Sequence, residues 1–401
     1  MLASRAWIFP FAFALGCGGA SHTTGPHDAA AGPPVDAAVT DAAVTDGASP
    51  TADLAGADLG GLNGWTDEGQ PTVTIPSGPL SGTLDQLAPS LIAAHPTMAH
   101  DLFVATSMGG GQLPTACAWD NGSASAPLML SDNDVQVSTA IFGPSGTRYV
   151  FYDDLTSGIV DVASLASGSA WTTTLLSTGA TPPPGFTPPS YPPRAYVVSA
   201  AAPERIWGYD QGELYDFSTL GTTSAWRAYD IGTPFGDSIV VLAPGASGSI
   251  YAASATAVKT CTLSSSVTCG AAAAGIATGD APTQIVVSPS TPTTVYLVTS
   301  AAAGEKLYRS TDAGAHFSQV ALSIDAGARI GRVALHPGNT TKLAVVVQPP
   351  SAIGQIWVST DGATSFASLP MPVTSGNVSD AAIDAAGTLF IVFFDVYSRA
   401  L

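Results

Sequence analysis

Few residues in this chain are equipped for chemistry. Its 401 residues include six histidines and four cysteines, and the glutamates are Glu68, Glu204, Glu213 and Glu305. General acid–base hydrolysis needs two carboxyls converging on one bond. Asp153 with Asp154, and Asp210 with Glu213 and Asp216, are groupings of that kind. Both fall at strand ends in turn-rich sequence, where solvated acids are the simpler reading. His22 and His27 lie in a low-complexity region, His95 and His336 each precede a proline, and His100 and His316 complete the set without metal-binding spacing. Asp132-Asn133-Asp134 and Asp120-Asn121-Gly122 fall short of the six or more oxygens that calcium takes, and read as turns. The sequence therefore predicts no catalytic residue, no metal and no cofactor.

The cysteines have three different settings. Cys261 and Cys269 flank Ser264-Ser265-Ser266 in TCTLSSSVTC, so two strand-like arms bring them face to face across a hairpin. In an oxidising compartment a bridge closing so short a loop contributes about 2–3 kcal/mol. Cys117 has no evident partner and reads as a buried thiol. Cys17 ends a short apolar run, Ala6 to Leu15, that follows Arg5. The run is too short to cross a membrane as a helix and has the layout of an export signal.

The elements that must position any site come from a repeat. The unit is clearest from Thr283 to Phe317, where β-branched and aromatic runs (IVVSPS, TVYLVT, KLYRS) are punctuated by Pro, Gly, Ser and Asp. Copies begin at Ile92, Ala140, Val197, Val240, Ile285, Val333 and Ala381. Turn prolines mark the interval: 144−96 = 48, 289−244 = 45 and 337−289 = 48. Late aromatics repeat it at Trp171, Trp226, Phe317 and Phe366. A period near 48 suits four-stranded propeller blades. The expected fold is therefore all-β, a single seven-bladed propeller, with a β-sandwich or solenoid as the alternative that has no need of seven equal units. The last copy runs out after two or three strands, and an open sheet edge is a liability. Trp65 to Ile75 is accordingly expected to supply the outermost strand of the final blade.

One turn carries a family likeness. Ser310-Thr311-Asp312-Ala313-Gly314-Ala315-His316-Phe317 resembles the Asp-box of sialidase-type (BNR-repeat) propellers, S-x-D-x-G-x-x-W/F. Ser359 to Phe366, with Asp361, is a second copy whose Gly lies one place early, which puts its turn geometry in question. The resemblance implies a structural role for Ser310, Asp312, Gly314, Phe317, Ser359, Asp361 and Phe366, at a hairpin away from the axis. It does not extend to a sialidase site, because the arginines and the Tyr/Glu pair of that family have no counterparts here. The end of the export signal, Ala14-Leu15-Gly16-Cys17, similarly resembles a bacterial lipobox, departing from it at Ala14 and Leu15. That likeness implies a lipid on Cys17; plain secretion is the alternative.

The organisation that follows is a signal over 1–17, an Ala/Asp/Gly/Pro/Ser/Thr tether over 18–61 expected to be disordered, and a propeller over 62–401. The formal charge of −18 from 30 acidic and 12 basic residues disfavours nucleic-acid binding. Charged residues make up only 10% of the chain, well below the roughly 25% of ordinary domains. The expected protein is an exported, lipid-anchored monomer at the cell surface or outer membrane that touches the membrane through its anchor alone. Its expected role is non-catalytic binding or scaffolding toward a protein or glycan, with a glycan-directed hydrolase as the alternative. Between 181 and 193, TPPPGFTPPSYPP displays Phe186 and Tyr191 on a proline-stiffened loop, a candidate recognition element, with a stiff loop packed over the ring as the simpler reading.

Overall fold

A blade of four strands has two apolar faces and cannot cover either alone, so its neighbours must. The computed structural model describes residues 64–401 apart from short internal stretches, the longest being 176–194 and 217–226. Seven sheets follow one another along the chain. Blade 1 comprises Leu91–Ala94, Asp101–Ala105, Pro114–Asp120 and Ser123–Met129. Blade 2 comprises Val135–Phe142, Arg148–Asp154, Ile159–Leu165 and Thr172–Leu175, with Met108–Gly109 added along its first strand. Blade 3 comprises Ala195–Val198, Ile206–Asp210, Glu213–Asp216 and Arg227–Asp230. Blade 4 comprises Ile239–Pro244, Ser249–Ser254, Val258–Leu263 and Val267–Cys269; a four-residue helical turn, Gly232–Phe235, precedes it. Blade 5 comprises Ala281–Val287, Val295–Ala301, Gly304–Ser310 and Ser318–Gln319. Blade 6 comprises Arg329–Leu335, Leu343–Gln348, Gln355–Ser359 and Ala367–Leu369. Blade 7 comprises Asp380–Ile383, Thr388–Val392 and Val396–Ala400, completed by Thr66–Gly69. The protein is a seven-bladed β-propeller.

Burial shows why these sequences make this shape. The second strands of blades 1 and 6 are buried without alternation over Asp101–Ala105 and 343–347, because both faces lie under neighbouring blades. Each apolar cluster straddles a blade boundary. Ile92, Leu102 and Trp119 of blade 1 pack with Phe390 and Val392 of blade 7, and Phe103 and Ala105 of blade 1 pack with Val150 and Tyr152 of blade 2. Cys117 sits in the first of these clusters, fully buried, and burial pushes its thiol up to about 12.

Two expectations need correction. Only Thr66–Gly69 pairs with Val396–Ser398; Val73–Ile75 leaves the blade and forms a separate hairpin with Gly82–Leu84. The pairing skips a residue between Asp67 and Gly69 and stops at Gly69, whose left-handed φ of 74° a β-strand cannot continue. Trp65 holds the strand in place: it is 5% exposed, packs among Ile383, Leu389 and Tyr397, and donates its indole N–H to the Pro370 carbonyl at 2.7 Å. The second correction concerns Pro244. The turns between first and second strands begin at His95, Gly143, Gly245, Ser288, His336 and Asp384, each marked by one backbone bond back across the turn. Pro96, Pro144, Pro289 and Pro337 follow the turn residue, whereas Pro244 precedes it and belongs to the strand. The interval from 245 to 288 is therefore 288−245 = 43, not 45.

Candidate functional site

The first strands of the blades line the axis, where a pocket of about 240 Å³ opens. Blades 1, 2, 5, 6 and 7 contribute to its wall, among them Ile92, Ile141, Val286, Leu335 and Ile383, with Pro96, Pro289 and Pro337 at one end. Arg332 is the one polar residue in the described wall; the rest are Ala, Val, Ile, Leu, Phe and Pro.

Arg332 comes from blade 6 and meets Asp380 of blade 7, with Nε 3.0 Å from Oδ1 in an ion pair off hydrogen-bonding geometry. Asp380 Oδ1 also accepts the Ala381 N–H at 2.9 Å, and Oδ2 accepts the Ile92 N–H of blade 1 at 3.0 Å. One carboxylate thus ties three blades together beside the axis. Burial pushes its pKa up, against the pull of Arg332 and the two amides. Sequence reasoning missed this pair, yet a signal existed. The two residues occupy the same place in consecutive units, 380−332 = 48.

The polar residues at the proline end are turn caps. His95 Nδ1 accepts the N–H groups of Met98 and Thr97 at 3.1 and 3.2 Å, and His336 Nδ1 accepts that of Gly338 at 2.9 Å. Asp384, in the blade between them, accepts N–H groups from Thr388, Ala386 and His100 at 2.8, 3.0 and 2.9 Å. Asp101 and Arg148 form a second buried inter-blade pair, and Arg148 lies 5.1 Å over the Phe142 ring. Glu204 accepts the Tyr149 hydroxyl at 2.7 Å and the Ser145 N–H, Glu305 accepts the Ile330 N–H, and Glu68 accepts the Ser398 hydroxyl. Among the described residues no group of three or more His, Cys, Asp or Glu is placed to hold a metal.

The turn at Ser310 to Phe317 works as a clamp between blades. Ser310 Oγ donates to Asp312 Oδ1 at 2.7 Å and accepts the Gly314 N–H at 2.9 Å, while Asp312 Oδ1 accepts the His316 N–H at 2.9 Å. Phe317, 3% exposed, lies among Tyr251 of blade 4 and Leu297 and Tyr308 of blade 5. Its N–H and the Ala315 carbonyl bond Ala274, sealing the edge. At 359–366 the same bonds recur: Ser359 Oγ to Asp361 Oδ1 at 2.8 Å, Ala363 N–H to Ser359 Oγ at 2.8 Å, and Ser365 N–H to Asp361 Oδ1 at 2.9 Å. The displaced glycine does no harm because both turns use two consecutive left-handed residues. Ala313 and Gly314 have φ of 57° and 79°, Gly362 and Ala363 73° and 66°. Either order leaves one alanine in an unfavourable region and one glycine free of that strain. These bonds hold the Asp312 carboxyl well below the usual range, the His316 N–H foremost, and bring Asp361 down to about 2, the Ser365 hydroxyl foremost. Phe366 is half-buried against the cluster of blades 5 and 6. Trp171 of blade 2 plays a similar part, 5.7 Å from the Phe103 ring of blade 1.

Cys261 and Cys269 are directly opposite each other in blade 4, with Cα atoms 4.0 Å apart, and are joined by a disulfide. Cys17, Phe186, Tyr191 and Trp226 lie outside the described residues, as do the proposed signal and tether.

No protein-family model matches the chain, and no curated protein does. Solved structures do share the fold. YCF48 from Cyanidioschyzon merolae superimposes with a TM-score of 0.55 at 15% identity, covering 84% of this chain and 99% of that one. A streptogramin B lyase gives 0.53 at 14%, covering 83% and 96%. The GH74 xyloglucanase from Xanthomonas campestris gives 0.55 at 15%, covering 83% of this chain and 53% of the enzyme. At these identities the likeness is one of fold alone.

Two predictions follow from the clamp and the caps. Phe317→Ala should cost about 3–5 kcal/mol in urea unfolding, because it empties a packed site between blades. Asp312→Ala should lower the melting temperature by less. A melt unchanged by Phe317→Ala would refute the clamp. For the caps, burial lowers the pKa of both His95 and His336 from 6.5; Asp101 and Arg148 face the first, Lys342 and Asp384 the second. The folded rings stay neutral while the unfolded chain takes up protons, so stability should be full above 6.5 and fall as pH drops through it toward the native values. The double change His95→Asn with His336→Asn should flatten that slope in melts recorded across acidic to neutral pH.

Proposed function

We propose that this protein is an exported, lipid-anchored binding or scaffold propeller of the Asp-box type, without catalytic activity. The observation that carries the reading is the division of labour among polar groups. The described carboxylates near the axis, Asp101, Asp380 and Asp384, are consumed by ion pairs and turn amides. Among the described residues, the side chains that face the axial pocket are apolar apart from Arg332. Such a wall suits recognition, which needs concave apolar surface and few oriented polar groups. The paired Ser-x-Asp clamps support the Asp-box assignment, and the Cys17 setting supports the anchor. One fold neighbour, YCF48, has been solved bound to D1 peptide, with a TM-score of 0.53 and 12% identity to this chain. Here the partner is a protein or a glycan at the cell surface.

Purified protein incubated with xyloglucan and with sialyllactose should release no sugar above the buffer control. Release of either product would replace this reading with the hydrolase. The anchor is tested separately: Cys17→Ser should move the protein from the membrane fraction to the soluble one, and a mature N-terminus other than Cys17 would contradict it.

A further inference from the structure

Among the described residues the axial pocket holds one charged group, and its setting defines what it can recognise. Arg332 is 38% exposed at its side chain, whereas its partner Asp380 is 7% exposed and is not part of the wall. Asp380 engages the Nε edge, and its two oxygens are already taken up by the amides of Ile92 and Ala381. No described residue engages the Nη groups. The guanidinium therefore offers donors to the pocket while its counter-charge stays behind the wall. A planar pair of N–H donors matches a carboxylate.

The remaining wall excludes most anions. The described wall supplies no hydroxyl or amide side chain for the hydroxyls of a sugar acid, and buried hydroxyls without partners are costly. The volume of about 240 Å³ lies under the range of roughly 300–1,000 Å³ for drug-sized ligands. We propose that the axial pocket binds a small amphipathic monocarboxylate, its apolar body against Ile141, Val286 and Leu335 and its carboxylate on the Nη edge of Arg332. This rests on the binding reading above, whose axial site it uses, and adds a small ligand there to the protein or glycan partner of the ring.

The probes are octanoate and octan-1-ol, equal in chain length and unlike in charge, titrated calorimetrically into the intact protein. Octanoate should bind saturably and octanol about tenfold more weakly or worse, the scale of one charge-assisted contact. Arg332→Gln should weaken octanoate by a similar factor. Asp380→Asn should strengthen it, since it removes a negative charge from behind the guanidinium and keeps an acceptor for an amide. Opposite signs for the two changes cannot arise if the pair serves only to hold blades together. Ala94→Trp, which fills the pocket, should abolish binding. A melt of each variant shows that the ring remains folded, and the comparison of octanoate with octanol needs no variant.

Equal binding of the two probes would overturn the anion assignment while leaving an apolar binding pocket. Octanoate affinity unchanged in Arg332→Gln, or weakened in folded Asp380→Asn, would overturn it as well. Absence of saturable binding by either probe would overturn the ligand class. Sugar release in the assays above would instead overturn the binding reading itself.

Discussion

A blade that cannot cover its own faces is the constraint on which this structure depends. Its four strands are apolar on both sides, so each blade is stable only between two others, and a row of blades is stable only when it closes. The packing follows from that. Buried clusters straddle blade boundaries rather than filling blades, with Phe103 facing blade 2 while Leu102 faces blade 7. The polar contacts follow it too. Asp101 with Arg148 and Arg332 with Asp380 pair consecutive blades, and Asp384 accepts the His100 amide of the next.

The same constraint explains where function can reside. Side chains between blades are committed to holding the ring, and so are the caps and clamps of the turns. Asp312 is an exposed carboxylate with a strongly depressed pKa, which in a cleft would read as a catalytic group. Here its partners are a serine hydroxyl and the amide and ring of His316 in one turn, a structural cause for the shift. Removing such groups from consideration leaves the axis, where Arg332 is, among the described residues of the pocket wall, the charge that the fold does not fully consume.

How much of this was legible in the sequence depended on whether a feature repeats. Seven copies near 48 residues apart gave the ring, and the aromatics at Trp171, Phe317 and Phe366 marked its inter-blade anchors. Pro244 misled because a proline is tolerated both at the end of a strand and inside the turn, and only the backbone bond to Ser249 separates the two. The second clamp looked damaged because its Gly is displaced, but the motif needs two left-handed residues rather than one fixed glycine. The closing strand was legible as a need rather than as a sequence, so its length was overstated beyond Gly69. Arg332 and Asp380 belong to no motif; they hold the same place in consecutive units, and it is the closed ring that sets them against each other.

Closure by the two ends of the chain is the claim on which the rest stands, and amide hydrogen exchange tests it most directly. Thr66–Gly69 and Val396–Ala400 are paired strands of one blade held by Trp65. In a closed ring their bonded amides should open together with the interior strands, at the rate of global unfolding. Rapid exchange across 66–69 while Val345 and Leu297 remain protected would contradict the account, since it would describe a ring that holds without its closing strand.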